Sequence, residues 1–392
     1  MSRDEEIKIQ GMPPNEWEGR KEKAHRARHD RYEFIDQFRG LCVLFLTFAW
    51  VTIQLGWNKL VPAILSHGFV FYNDEITTTW NWLQVDNYSY TWIDLGASLF
   101  MIIVGVTVPI SFRSRAKKDG TGMALLRLFL RYPIFIGLQL FLDAMMKAPM
   151  SYQTVLLGQG AEGFMTRLGI GTVVAGLAAW LVKHVDRRFL LAVGIMAVQG
   201  VLYIMPGLQV FHYNAVNKEP LAWMGNSKFF DYYMIPFDAI SYSALAIAGT
   251  CFWDWLDKDN VTASFKRRIL PVGIYSWVAC FVVCWFIPFS WMDASVTQDL
   301  LALGMVFFML TLFFCMEQFF KYKIPYLSAL GKNALILYII GFLGWWLYMY
   351  LGLFNFVTPE TAWLGLVLCT GLVVPVVLLA WVLDKNKIYW RF

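Results

Sequence analysis

A small set of charged and polar residues lies at the edge of long apolar runs, where an ionised side chain is expensive to hold. These residues are Asp36, Arg39, Asp94, Arg167, Lys332 and its neighbour Asn333. Asp36 and Arg39 are three residues apart, so on a helix they share one face and can form an ion pair. Arg127 and Arg131 lie within the third run, where long side chains are expected to snorkel towards the lipid headgroups. The first set is therefore the candidate functional site, with helix-end charges as the alternative interpretation.

The elements that must position these residues are membrane-spanning helices. Of 392 residues, 58% are hydrophobic and only 16% are charged, against about 45–50% and about 25% in soluble domains. The mean hydropathy is +0.50. A globule of this size could not bury so much apolar surface, which excludes a soluble enzyme, a disordered chain and a fibrous protein.

Ten apolar runs are long enough to cross a bilayer, and they are continuous rather than alternating, as helices require and barrel strands do not. The runs are 35–57, 92–112, 124–146, 167–183, 188–206, 236–256, 269–290, 299–320, 328–353 and 361–384. The sequence therefore predicts an all-α polytopic membrane protein with about ten transmembrane helices.

Basic residues predict the orientation of these helices. Most lysines and arginines lie in the N-terminal tail, in every second connection and at the C-terminus, whereas the opposite loops hold only Lys59, Lys147, Lys218 and Lys228. The positive-inside rule then places both termini in the cytoplasm. We expect a cytoplasmic basic tail over 1–33 and a single transmembrane domain over 34–392. Its outer loops, about 58–91 and 207–235, are rich in aromatic residues and would form either an interfacial belt or a lid.

Four short motifs occur in order along residues 32–390, about the whole chain. They are Asp36-Gln-Phe-Arg39-Gly40; Asp94-Leu-Gly-Ala-Ser-Leu-Phe100 through Gly105, with Ser111-Phe112-Arg113 at its exit; Arg167-Leu-Gly-Ile-Gly; and Gly331-Lys332-Asn333-Ala334-Leu335 through Tyr338. Together they resemble the heparan-α-glucosaminide N-acetyltransferase-like family of transmembrane acyltransferases, which includes bacterial proteins of unknown role.

The resemblance implies an acyl-CoA donor, acetyl-CoA or another, on the cytoplasmic side and an acceptor, a sugar by analogy, on the other side. It implies no metal, and a location in the bacterial cytoplasmic (inner) membrane. The residues it assigns to the donor are Asp36, Arg39, Arg113, Arg167, Lys332 and Asn333. Arginine and lysine near the cytoplasmic helix ends would attract the phosphates of the donor.

The family's catalytic positions are replaced in this chain. Its histidine base precedes the second span, where this chain has Val85 and Asp86, and its first-span asparagine corresponds to Trp50. His67 is the alternative base, because neutral histidine can accept a proton near neutral pH, and Asp86 and Asp94 are further candidates. His67 could equally be an ordinary loop residue.

Two other functions stay open. The chain could be a catalytically inactive acyltransferase-fold subunit, a scaffold or accessory component whose partners are membrane lipids, other proteins of a membrane complex or a second copy. Nucleic acid is not an expected partner. An ion or solute transporter would need paired carboxylates or broken helices, but Pro109, Pro236, Pro271 and Pro375 lie near span ends, which predicts continuous helices.

Overall fold

The protein is described by a computed structural model that covers residues 33–57, 95–146, 164–204, 238–256, 260–287, 295–358 and 360–389. All regular structure in these ranges is helical. The helices are α1 Glu33–Trp57, α2 Gly96–Asp119, α3 Thr121–Met146, α4 Phe164–Leu181, α5 Val185–Ile204, α6 Asp238–Trp255, α7 Val261–Ser264, α8 Leu270–Val283, α9 Val296–Gln318, α10 Pro325–Lys332, α11 Ala334–Tyr350 and α12 Trp363–Lys385. A π-helical segment, Phe265–Ile269, joins α7 to α8, and a 3-10 helix, Leu353–Phe356, follows α11.

Each of the ten predicted apolar runs coincides with helix, so the all-α polytopic fold is confirmed. Among the described residues, six helices are long and apolar enough to cross a membrane: α1, α2, α3, α4, α9 and α12. The pair α10 and α11 makes a seventh if it is counted as one span. The protein is therefore a multi-pass membrane protein. The full number of ten spans and the cytoplasmic location of the termini stay predictions.

The expected continuous helix over 328–353 is wrong. α10 and α11 meet at an angle of 93°, and Asn333 between them has non-helical backbone angles, φ −123° and ψ 31°. The Asn333 carbonyl accepts the first hydrogen bond of α11, from Leu337 N at 3.1 Å. Asparagine is disfavoured in helix interiors, so its position agrees with a break that hydropathy does not reveal.

The centre of the bundle is a close crossing of α2 and α6. A Cβ atom added to Gly105 would lie 2.0 Å from the Ala246 carbonyl oxygen, and one added to Gly249 would lie 2.1 Å from the Ile102 carbonyl oxygen. Small residues allow membrane helices to approach closely where apolar side chains gain nothing over lipid. These two glycines therefore fix the distance between the two central helices.

Helix ends gather at two opposite levels of the bundle. At one level, Phe34 at the start of α1 packs edge-to-face on Phe265 and on Phe314 near the end of α9. The same level carries a group of basic residues at helix ends and in the connections between helices, and we call it the basic end, defined by Arg113, Arg188, Arg268, Lys323 and Lys332. At the other level, buried polar side chains link neighbouring helices near their ends, and we call this the polar layer, defined by Ser98, Gln139, Ser241, Gln298 and Asp299.

Candidate functional site

Four of the predicted donor-binding residues come together where α10 crosses the start of α1. Asp36 and Arg39 form the expected ion pair, with 3.6 Å between Oδ1 and Nη1. Lys332 Nζ lies 2.9 Å from both carboxylate oxygens of Asp384, and Asn333 Nδ2 donates to the Ile388 carbonyl at 3.0 Å. We call Asp36, Arg39, Lys332 and Asn333 the α1–α10 corner.

Two glycines make this corner possible. A Cβ atom on Gly331 would lie 1.8 Å from the Asp36 carbonyl oxygen, and one on Gly40 would lie 1.9 Å from the Leu327 carbonyl oxygen. The backbones of α1 and α10 are therefore in direct contact. Asp36 and Asn333 are buried beside this contact, at 3% and 2% exposure, so the crossing positions both polar side chains inside the protein.

A second group of charges surrounds the start of α1. Lys323 Nζ lies 3.0 Å from Glu33 and 3.7 Å from Glu317, and Glu317 accepts a hydrogen bond from Phe34 N. The hydrogen bond to Glu33, followed by the negative charge of both carboxylates, raises the pKa of Lys323 above its usual 10.5. Gln37 Oε1 accepts from Ile324 N at 2.8 Å. These contacts hold the segment before α10 against α1.

Arg113 belongs to a different cluster at the basic end. Its Nη1 and Nη2 donate to the two carboxylate oxygens of Asp254 at 2.5 and 2.6 Å. Arg188, which is fully buried, donates to the same carboxylate at 2.5 Å. One carboxylate thus joins the ends of α2 and α6 to the start of α5. Arg188 and Asp254 were not predicted as site residues, although Asp254 is a charge within the sixth apolar run and Arg188 opens the fifth.

Arg167 is not brought together with the other predicted donor residues. It lies at the start of α4, and its guanidinium is 5.6 Å from the centre of the Tyr242 ring. Tyr242 follows Ser241 of the polar layer, so Arg167 is at the opposite level from the α1–α10 corner. The arrangement suits a cation–π contact at that level.

The polar layer was not predicted, apart from Arg167 beside it. Gln298 Nε2 donates to Ser98 Oγ at 3.0 Å, Ser241 Oγ donates to Asp299 Oδ2, and Gln139 Oε1 accepts from Met165 N at 3.0 Å. Asp299 and Gln298 are fully buried, and among the described residues Oδ1 and Oε1 of these two side chains have no hydrogen-bond partner. The signal in the sequence was an acidic residue that opens an apolar run.

Trp50 occupies the position that the resemblance gives to a catalytic asparagine. Its ring centre lies 5.0 Å from Phe342 and 5.2 Å from Trp345, and 6.2 Å from Tyr338. The Trp50 side chain therefore packs α1 against α11 by aromatic contact. The other predicted catalytic residues, His67, Asp86 and Asp94, and the outer loops about 58–91 and 207–235 lie outside the described residues.

Comparison with known proteins gives no assignment: no protein-family model matches the chain and no curated protein matches it significantly. Within the described part of the chain, no group of three or more metal-ligating side chains is placed to hold a metal ion.

Proposed function

We propose that this protein is a membrane-bound acyltransferase. It would take an acyl group, acetyl in the simplest case, from acyl-CoA at the basic end and pass it to an acceptor, a sugar by analogy, at the opposite face. The observation that carries the proposal is the α1–α10 corner, where Asp36, Arg39, Lys332 and Asn333 meet although about 290 residues separate the two pairs in sequence.

The chemistry of such a site has two requirements. Acyl transfer breaks the C–S bond of the thioester and forms a C–O or C–N bond, so a base must accept the acceptor's proton and the CoA thiolate must leave. The proposal assigns the base to the face opposite the donor, with His67, Asp86 and Asp94 as its candidates. Asp94 immediately precedes Leu95 at the start of α2, near in sequence to Ser98 of the polar layer.

A second candidate function is supported by a specific observation. The cations expected to hold the donor phosphates already have carboxylate partners: Arg39 pairs with Asp36, Arg113 with Asp254 and Lys332 with Asp384. A phosphate would have to compete with these carboxylates. Together with Trp50 at the asparagine position, this supports an acyltransferase-fold subunit that has lost catalysis and serves as scaffold or accessory component of a membrane complex.

Binding of acetyl-CoA separates the two proposals. The full chain, purified in a mild detergent, is titrated with acetyl-CoA by calorimetry, and release of free CoA thiol is followed with a thiol reagent. We expect saturable binding that Lys332→Met weakens about ten-fold, the effect of losing one charge-assisted contact. The control is Arg127→Gln, which removes an exposed arginine that pairs with Asp119.

Absence of both binding and thiol release by the wild-type protein would reject the enzyme. If a protein partner then co-purified in fixed stoichiometry, the scaffold function would take its place. Equal weakening by Lys332→Met and by Arg127→Gln would show that donor binding, if present, does not use the α1–α10 corner.

A further inference from the structure

We propose that residues 384–389 form an autoinhibitory strap, which closes the α1–α10 corner and must open before the phosphates of the acyl donor can bind there. We call these residues the C-terminal strap. They are the last two residues of α12 and the four that follow it. The inference rests on the proposed function, because it concerns the regulation of the same site.

The strap contacts both residues at the break between α10 and α11. Lys332 Nζ lies 2.9 Å from each carboxylate oxygen of Asp384, and Asn333 Nδ2 donates to the Ile388 carbonyl at 3.0 Å. A carboxylate and a phosphate both offer a lysine several negatively charged acceptor oxygens. Asp384 therefore occupies the position at Lys332 that a donor phosphate would need.

Hydrogen bonds within the strap tie the Asp384 carboxylate to the turn after α12. The Tyr389 hydroxyl donates to Asp384 Oδ1 at 2.8 Å. In the backbone, Ile388 N donates to the Leu383 carbonyl at 2.9 Å and Lys387 N donates to the Asp384 carbonyl at 3.0 Å. These two backbone bonds are those of a Schellman motif. The strap is thus one hydrogen-bonded unit, so opening the turn also withdraws Asp384 from Lys332.

Two features of the strap oppose its closed arrangement. Lys387 has a φ of +57°, a left-handed conformation that suits glycine and is unfavourable for a residue with a side chain. Asp384 places a negative charge in the last turn of α12, where the helix dipole is also negative. The Lys332 side chain keeps 17% exposure, so an anion can reach it from outside. A phosphate that competes for Lys332 therefore favours the open strap.

Removing the charge of Asp384 should strengthen donor binding. Acetyl-CoA is titrated by calorimetry into the full chain in a mild detergent, for the wild type and for Asp384→Asn. A strap that is open in about one molecule in ten lowers the apparent affinity about ten-fold, so we expect Asp384→Asn to bind about ten-fold more tightly. Tyr389→Phe, which removes one hydrogen bond to Asp384, should give a smaller gain, and it makes the same test if Asp384→Asn does not yield folded protein.

Asp119→Asn is the matched control. It changes the charge by the same amount, and its carboxylate has the same 23% exposure as that of Asp384, but it pairs with Arg127 away from the corner. Its affinity for acetyl-CoA should equal that of the wild type. Hydrogen–deuterium exchange gives a second readout. Acetyl-CoA should speed exchange of the Ile388 amide, because its hydrogen bond to Leu383 breaks when the strap opens.

The strap and the proposed function fail in different ways. If the wild type binds acetyl-CoA but neither Asp384→Asn nor Tyr389→Phe binds it more tightly, the strap is overturned and the acyltransferase stands. Equal gains in Asp384→Asn and Asp119→Asn, or slower exchange at Ile388 on binding, would overturn the strap in the same way. Absence of binding by the wild type and by all three variants would reject the acyltransferase, and the strap with it.

Discussion

Substituting alanine for Gly331 should force α10 away from α1 and destabilise the protein. The added Cβ would lie 1.8 Å from the Asp36 carbonyl oxygen, whereas ordinary contacts begin at 3.4 Å. The backbones must therefore separate by about 1.6 Å, because the obstacle is a peptide carbonyl and not the end of a flexible side chain. Overpacking of this kind costs about 1–3 kcal/mol, and a backbone obstacle places the expected loss near 3 kcal/mol. That is a factor of roughly 10² in the unfolding equilibrium constant.

The matched control is Gly137→Ala. Gly137 is also helical, but a Cβ there meets nothing within 4 Å. Removing a glycine from a helix interior at such a site should stabilise it by about 0.5–1 kcal/mol. Unfolding of the full chain is followed by circular dichroism as sodium dodecyl sulfate is added to mixed micelles, and the free energies of the variants are compared.

A double variant tests whether both losses of stability arise at the same helix crossing. Gly40→Ala blocks the same crossing from the other helix, with its Cβ 1.9 Å from the Leu327 carbonyl oxygen. Once Gly331→Ala has separated the helices, the second alanine should add little, so the two losses should be strongly non-additive. If Gly331→Ala proves as stable as Gly137→Ala, or if the two losses simply add, the close crossing of α1 and α10 is wrong.

Two further outcomes follow from the charges at the basic end. Asp254→Asn should cost about 3–5 kcal/mol, because it leaves the fully buried Arg188 without its carboxylate. Asp186→Asn, which removes an exposed carboxylate, should cost no more than about 1 kcal/mol in the same denaturation assay, and equal losses would contradict this reasoning. Because Glu33 raises the pKa of Lys323, their ion pair should stabilise the folded state fully below about pH 10.5 and lose this contribution as pH rises through the higher folded-state pKa. Unfolding of the wild type and of Lys323→Met, measured from pH 8 to about pH 11.5, should therefore converge at the alkaline end; a constant difference would contradict the assignment.

The positions of the helices were predictable because burial in lipid requires continuous apolar runs. The break at Asn333 was not, since a hydropathy window averages over a single cap residue. The run 328–353 contains no proline at the break, and the expectation of continuous helices rested on where prolines lie. The signal was an asparagine after Gly331 and Lys332, a combination typical of a helix end.

The sequence indicated the ion pair within one helix turn, but it did not indicate the ion pair between helices. Asp36 and Arg39 pair within one turn, as their spacing indicated. Arg188 and Asp254 pair across 66 residues, and nothing in the spacing of either residue indicates the other. Arg167 was predicted from its motif, but the structure places it away from the other donor residues. Its motif assigned it to the donor, but alternation of the spans puts the start of α4 at the level opposite Arg39.

The separation of the two levels limits how any acyl transfer can occur. Ser98 of the polar layer and Arg113 of the basic end are 15 residues apart on α2, about 22 Å along the helix axis. Between them, Gly105 and Gly249 close the contact of α2 with α6 so tightly that not even a methyl group fits. A thioester bound at the basic end cannot approach the polar layer between these two helices. The crossing of α1 and α10 is closed as tightly, because a Cβ atom on Gly331 or Gly40 would lie 1.8 or 1.9 Å from a carbonyl oxygen of the other helix. The break at Asn333 lies at the basic end, where the short helix α10 ends and Lys332 contacts Asp384.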